Sequence, residues 1–143
     1  MGRIVCDPAL CSGCLACVTA CMDQHYEETQ GDAVSPRLYE KRVPSRTGMT
    51  CYVTRSCHHC KDAPCVRACP AEALYTDERG FVIPRREACV GCRACAGACP
   101  YDVPRFDGMG KLVKCDGCAT RVARGLEPAC VRICALGALR MED

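Results

Sequence analysis

Sixteen of the eighteen cysteines in this 143-residue chain fall into four groups of four. The first is Cys11, Cys14, Cys17 and Cys21, spaced C-x2-C-x2-C-x3-C. The second is Cys57, Cys60, Cys65 and Cys69, spaced C-x2-C-x4-C-x3-C and followed by Pro70. The third is Cys89, Cys92, Cys95 and Cys99, again C-x2-C-x2-C-x3-C, followed by Pro100. The fourth is Cys115, Cys118, Cys130 and Cys134, spaced C-x2-C-x11-C-x3-C. Three cysteines at two-residue gaps with a fourth before proline form an iron–sulfur ligand run. Sixteen thiolates at four per cluster provide for four 4Fe–4S clusters. A chain with four such bodies inside it has little room for any other architecture, and a chain carrying four clusters is most simply an electron wire.

Composition agrees with an inorganic interior. Leu, Ile, Val and Phe make up 25 residues, about 17% of the chain, below the roughly 20% that separates ordinary cores from disorder. Disorder would also need high net charge, yet the formal charge is +2 with no long block of one sign. Clusters supply the missing core, as metals do in other small domains. The 17 alanines let backbone pass close to a cluster. Each cluster with its four thiolates carries a charge of about −2, so the loaded protein sits near −6. Its apo charge therefore says little about partners. No basic stripe is present and only 5% of residues are aromatic, which argues against nucleic-acid binding.

The N-terminus MGRIVCDPAL has no apolar signal core and no twin-arginine pair, and no apolar stretch approaches the length of a membrane span. A cytoplasmic location without membrane insertion is expected, and a reducing compartment suits thiolate ligands.

An approximate internal repeat runs along the chain, with an extended segment beside each cysteine group. Strands are expected at Arg3 to Cys6, Thr50 to Arg55 and Lys111 to Val113. A hairpin is expected where Leu74 to Tyr75 and Phe81 to Pro84 flank the turn residues 76–80. Ala119 to Arg124, stopped by Gly125 and Pro128, reads as a short helix. Residues 71–74 and 136–139 follow the last cysteines of groups two and four in matching positions. Residues 22–49 read as a polar connecting loop.

The stretches CHHCKDAPCVRACPAEAL, GFVIPRREACVGCRACAGACPYDVPRF and KCDGCATRVARGLEPACVRICALGAL resemble the four-cluster iron–sulfur subunits of molybdenum and tungsten oxidoreductases, also used in formate hydrogenlyase and hydrogenase-type complexes. The resemblance covers residues 1–21 and 50–141. It implies an α+β fold: a small, irregular, loop-rich domain of two nested ferredoxin-like units, each binding two 4Fe–4S clusters. The outer unit is 1–21 plus 110–143, the inner unit is 50–109, and 22–49 connects them. In ferredoxin-like units the fourth cysteine of one motif ligates the other motif's cluster, and the C-P step is expected to start a helix that turns this thiolate toward its neighbour. Carried over, one cluster takes Cys57, Cys60, Cys65 and Cys99. A second takes Cys89, Cys92, Cys95 and Cys69. A third takes Cys11, Cys14, Cys17 and Cys134. The fourth takes Cys115, Cys118, Cys130 and Cys21. Groups one and four have Met22 and Ala135 where the others have proline.

The implied role is a non-catalytic electron-transfer subunit. It relays single electrons between a large catalytic subunit, a tungsten or molybdenum pterin enzyme of the aldehyde oxidoreductase or formate dehydrogenase type, and a second redox protein. Head-to-tail self-association is a further expectation. The alternatives are a free-standing polyferredoxin serving several enzymes and a zinc-binding interaction module, since C-x2-C pairs also occur in zinc sites. Cys6 and Cys51, outside the groups, read as structural thiols in strands. His58 and His59 read as loop histidines near a cluster, with a hydrogen bond that tunes it, and His25 as solvated. Arg67, Arg93, Lys114 and Arg132 read mostly as solvated surface that offsets cluster charge. Leu10, Val103, Pro104, Phe106 and Met109 flank the cysteine loops as candidate docking residues or internal packing. No side chains form an acid, base or nucleophile set free of a ligand task, so no catalysis is expected.

Overall fold

The computed structural model describes residues 2–43 and 48–143. The described residues hold four antiparallel two-stranded ribbons, six short helices and one 3-10 turn (Arg86–Ala88), joined by loops. Strand β1 (Arg3–Cys6) pairs with β8 (Leu139–Glu142), Arg3 opposite Glu142 and Cys6 opposite Leu139, so the two ends of the sequence meet. β2 (Leu38–Arg42) pairs with β3 (Cys51–Arg55), β4 (Leu74–Thr76) with β5 (Val82–Pro84), and β6 (Arg105–Phe106) with β7 (Leu112–Val113). The helices are α1 (Ala16–Gln24), α2 (Tyr26–Thr29), α3 (Pro64–Ala68), α4 (Ala94–Ala98), α5 (Ala119–Ala123) and α6 (Ala129–Ile133). α1 packs on α6 and α3 on α4.

The last two hairpins share one turn chemistry. Asp77 Oδ1 accepts hydrogen bonds from the N–H groups of Arg79 and Phe81, both at 2.9 Å. Asp107 Oδ1 accepts from Met109 and Lys111, both at 3.0 Å. An aspartate that bonds the backbone two residues on is a turn former, and here it recurs thirty positions apart as a trace of the internal repeat.

The cysteine runs build helices in a different sense from that expected. The third cysteine of each run lies near the start of a helix: Cys17 in α1, Cys65 in α3, Cys95 in α4 and Cys130 in α6. The C-P step ends a helix rather than starting one. Cys69 and Cys99 follow the last turns of α3 and α4 in extended conformation, with ψ of 111° and 116°. A residue before proline is sterically disfavoured in the helical region, and here the chain leaves the helix at the fourth thiol. Cys134 leaves α6 the same way without a proline, at ψ 103°. Cys21 does not: Met22 follows it, and α1 runs on to Gln24.

Residues 22–49 are not a plain connecting loop. Their described part holds the end of α1, α2 and β2. A buried ion pair ties this segment to the rest. Arg86 donates to Asp107 Oδ2 at 2.5 Å, to Leu112 O at 2.7 Å and to Glu28 O at 2.9 Å, joining the β6–β7 hairpin to α2.

Apolar packing is divided into three small groups, each containing cysteines. Ile4 and Leu139 pack with Cys17 and Cys130. Val103 packs with Cys57 and Cys115. Ala63, Ala73, Leu74, Val82 and Leu112 pack with Cys89 and Cys95. The core of this protein is thus centred on thiols, as its low aliphatic content requires.

Candidate metal centres

Each cysteine run needs backbone that L-residues rarely adopt. The residue before the second cysteine is left-handed in all four: Gly13, Gly91 and Gly117, with φ of 75°, 73° and 69°, and His59 with φ of 49°. A side chain on Gly117 would also strike the Phe81 ring at 2.6 Å. A second left-handed residue, Leu15, Ala63, Arg93 or Cys118, directly precedes α1, α3, α4 or α5. Such conformations are costly outside glycine and persist only where the surroundings over-determine them.

These loops bring thiols from distant segments together. One cavity of about 80 Å³ is lined by Cys11, Cys14, Cys17 and Cys134, and by Cys6 as well. A second, about 20 Å³, is lined by Cys57, Cys60, Cys65 and Cys99. Cys21 lies among Cys115, Cys130 and Cys118, and burial followed by the charges of these three pushes its thiol well above the ordinary range. Cys95 lies close to Cys89, Cys65 and Cys69; burial, then these neighbours, push it up to about 11. Cys92 is exposed on its loop next to Gly91. These four gatherings are called below the Cys11, Cys57, Cys115 and Cys89 sets. Cys6 and Cys51 are half-buried at strand ends.

The donor chemistry fits a 4Fe–4S cluster in each set. Burial pushes Cys115 up to about 12 and Cys118 up to about 11, and a metal held as a thiolate ligand takes the place of that proton. The sulfurs are also met by donors. Backbone N–H groups of His59, Ala73, Gly117 and Ala138 point at Cys57, Cys69, Cys115 and Cys134 at 3.2–3.3 Å, and that of Leu112 at Cys89 at 3.4 Å. Hydrogen bonds to cluster sulfurs stabilise the charged ligand and set potentials. Among the described residues no three Cys, His, Asp or Glu side chains close on one ion.

Two cations lie buried among the thiols. Lys114, expected at the surface, is only 3% exposed. Its Nζ donates to Cys115 O at 2.5 Å, Val82 O at 2.6 Å and Cys57 Sγ at 3.3 Å. Arg37 is 1% exposed. It donates to Thr54 Oγ1 and Ser56 Oγ, both at 2.9 Å, to Thr54 O at 3.3 Å, and lies 3.9 Å from Cys130 Sγ. No sequence pattern marks Arg37, because it sits in a segment with no cysteine. Arg67, Arg93 and Arg132 are exposed, as expected.

The histidines differ from one another. His59 is buried, and burial first, then the Lys114 charge, hold its pKa down to about 3, so it is neutral. Its Nδ1 accepts from Val82 N–H at 3.0 Å, and its Nε2 lies 3.7 Å from Cys115 Sγ. His58 lines the Cys57 cavity and stacks on Tyr101 with centroids 3.8 Å apart. His25 is not solvated: it is buried with Nδ1 2.9 Å from Glu28 and Nε2 3.7 Å from Asp116.

Exposed apolar side chains lie at three of the sets. Leu15, Ile133 and Leu136 line the Cys11 cavity and Leu10 directly precedes Cys11; Val90 lies between Cys89 and Cys92, Met109 precedes Gly110, whose carbonyl approaches Gly91, and Tyr101 lines the Cys57 cavity. Val103 and Pro104, candidates for docking on sequence grounds, are buried, and Phe106 packs inside against Leu112 and its neighbours with Arg93 over its ring.

Comparison with known proteins gives the same chemistry. The family model described as a 4Fe–4S dicluster domain matches residues 49–143, taking in the second, third and fourth cysteine groups. The B subunit of the anaerobic dimethyl sulfoxide reductase of Escherichia coli K12 is 38% identical over 143 residues, covering 93% of this protein and 69% of the relative. The ferredoxin-like protein YdhX of Escherichia coli O157:H7 is 39% identical over 132 residues, covering 90% and 59%. The hydrogenase-2 operon protein HybA of the same strain is 36% identical over 162 residues, covering 93% and 49%.

Proposed function

We propose, since this chain belongs to the 4Fe–4S dicluster domain family, that it is the electron-transfer iron–sulfur subunit of an oxidoreductase complex, carrying four 4Fe–4S clusters and no catalysis of its own. The observation that carries this is the meeting of Cys134 with Cys11, Cys14 and Cys17 around one cavity. A thiol more than a hundred residues away completes that set, as a crossover between ferredoxin-like motifs requires. The ligand sets are the crossed ones: Cys57, Cys60, Cys65 and Cys99; Cys89, Cys92, Cys95 and Cys69; Cys11, Cys14, Cys17 and Cys134; Cys115, Cys118, Cys130 and Cys21. The nesting of an outer unit (1–21 plus 110–143) around an inner one (50–109) is supported by the β1–β8 pairing of the two ends and by the packing of α1 on α6 and α3 on α4.

Contacts between sets support one order. Cys17 and Cys130 share a packed group, as do Cys57 and Cys115, and Cys65 packs against Cys89 and Cys95. The wire therefore runs from the Cys11 set through the Cys115 and Cys57 sets to the Cys89 set. The clusters supply one-electron transfer. The protein holds them close together, buries all four thiols of the Cys115 set, and leaves an apolar rim at each end for a partner. One partner is a large catalytic subunit of the molybdenum or tungsten pterin class, and the other is a second redox protein or subunit. The relatives, a reductase B subunit and a hydrogenase-2 operon protein, support partners of this kind. Among the described residues no helix is long and apolar enough to cross a membrane, and a cytoplasmic location belongs to the proposal because thiolate ligands suit a reducing compartment.

Gentle anaerobic lysis followed by size-exclusion chromatography tests this reading. The protein should elute with a larger subunit and transfer electrons to or from it. Elution alone, as a monomer competent with several enzymes, would replace the subunit reading with the free polyferredoxin.

A further inference from the structure

The junction between Cys57 and Cys115 is built unlike the rest of the wire. The residue before the second cysteine is glycine in three runs and His59 in the other, although its backbone is equally left-handed. The residue before the first cysteine is Leu10, Ser56 or Ala88 in three runs, and Lys114 in the fourth. Both exceptions are buried, and they meet. Val82 offers its N–H to His59 Nδ1 at 3.0 Å and its carbonyl to Lys114 Nζ at 2.6 Å. Because Val82 donates to Nδ1, the ring proton of the neutral imidazole is on Nε2, and it faces Cys115 Sγ at 3.7 Å. The backbone N–H of His59 donates to Cys57 Sγ at 3.3 Å. Lys114 donates to that same sulfur at 3.3 Å and to the carbonyl of Cys115 at 2.5 Å.

A buried cation normally has an anion beside it. Among the described residues no carboxylate stands within ion-pair distance of Lys114. The sulfurs are the negative groups available to it. On the reading given above, they are ligands of two adjacent clusters.

We propose that His59 and Lys114 are a positioning pair that ties the facing sulfurs of the Cys57 and Cys115 sets together and raises the reduction potentials of the two middle clusters relative to the ends. Reduction adds negative charge to a cluster, and a fixed positive charge or an N–H donor at its sulfur favours that state. The pair acts on the protein's potentials and on no substrate, and this inference rests on the electron-relay function.

The test is an anaerobic potentiometric titration of the holo-protein in its native complex, followed by electron paramagnetic resonance. Signals are assigned with Cys60→Ala and Cys118→Ala, each lacking one middle ligand. K114Q removes the charge and keeps a polar side chain. At the wild-type midpoint it should lower the reduced-to-oxidised ratio of the Cys57-set cluster about tenfold, a shift of 59 mV for one electron. The Cys115-set cluster should shift in the same direction by less, with both end clusters unmoved, and K114R should recover most of the change. H59G places at this position the residue that the other three runs use, so the loop is kept. It should lower mainly the Cys115-set cluster, and it decides the matter if K114Q fails to retain iron. Unchanged midpoints in variants that keep all four clusters would overturn the inference, as would an equal shift of all four. A wild-type protein without four clusters would instead overturn the relay function on which it rests.

Discussion

Replacing Arg37 with methionine removes a buried positive charge beside Cys130 while roughly keeping the volume. The guanidinium is 1% exposed and 3.9 Å from Cys130 Sγ. Two unit charges 4 Å apart interact by about 4 kcal/mol at an effective dielectric of 20. The electron added on reduction spreads over a cage beyond the sulfur, roughly doubling the distance, so the differential is about 2 kcal/mol. That is about a thirtyfold change in the reduced-to-oxidised ratio, or roughly 90 mV for one electron. The same change strands polar atoms on Thr54 and Ser56, whose side chains bond Arg37, so some stability is lost as well, of order 1–3 kcal/mol for a buried group left unpaired. The assay is a potentiometric titration of the anaerobic protein, with iron counted in each sample. One cluster, that of the Cys115 set, should become harder to reduce by the stated amount, and R37K should restore part of the shift. Full iron content with that midpoint unchanged would refute the reasoning, because the buried guanidinium would then have no electrostatic hold on the cluster.

Other outcomes follow from the same geometry. Arg86→Ala leaves the buried Asp107 carboxylate without its cation. Breaking such a pair costs about 3–5 kcal/mol, and the two backbone N–H groups that Asp107 keeps put the expected loss near the lower end; anaerobic denaturant-induced cluster loss should be faster, and adding Asp107→Asn should recover part of it. Iron counts in double variants test the crossed ligation. Cys11→Ala with Cys134→Ala should lose one cluster and retain about 12 iron, whereas Cys115→Ala with Cys134→Ala should lose two and retain about 8, counting four per cluster; contiguous ligation reverses the two results. Chelating the iron under oxidising conditions should abolish the cooperative unfolding transition, since the apolar groups are small and each is built on cysteines; an apo-protein that melts sharply would contradict this.

The hairpin around 77–80, the strand at 3–6 and the helix after Cys118 are legible in the sequence because short-range turn and breaker chemistry specifies them. The spacing of each run likewise points to iron–sulfur chemistry, in line with the 4Fe–4S dicluster domain match over residues 49–143. Long-range features are not legible. Arg37 reaches Cys130 from a segment without a cysteine, and its sequence surroundings look like ordinary polar chain. Lys114 resembles any surface lysine beside a cysteine until the β4–β5 hairpin closes over it through Val82. His25 finds Glu28 within its own turn, but Asp116 comes from the other end of the sequence. The sense of the C-P step is hidden because the proline rule says only that a helix cannot continue across it; which side the helix lies on depends on the third cysteine, near the start of each helix. The glycine-like position of His59 is hidden too, because a histidine at φ 49° has no signature of its own. It emerges only when the four runs are laid beside one another in three dimensions.

Iron and acid-labile sulfide content of the anaerobically purified protein tests the central claim most directly. Sixteen grouped cysteines at four per cluster predict about 16 iron and about 16 sulfide per molecule. Four zinc ions with no sulfide, or half the predicted iron in a folded protein, would contradict it.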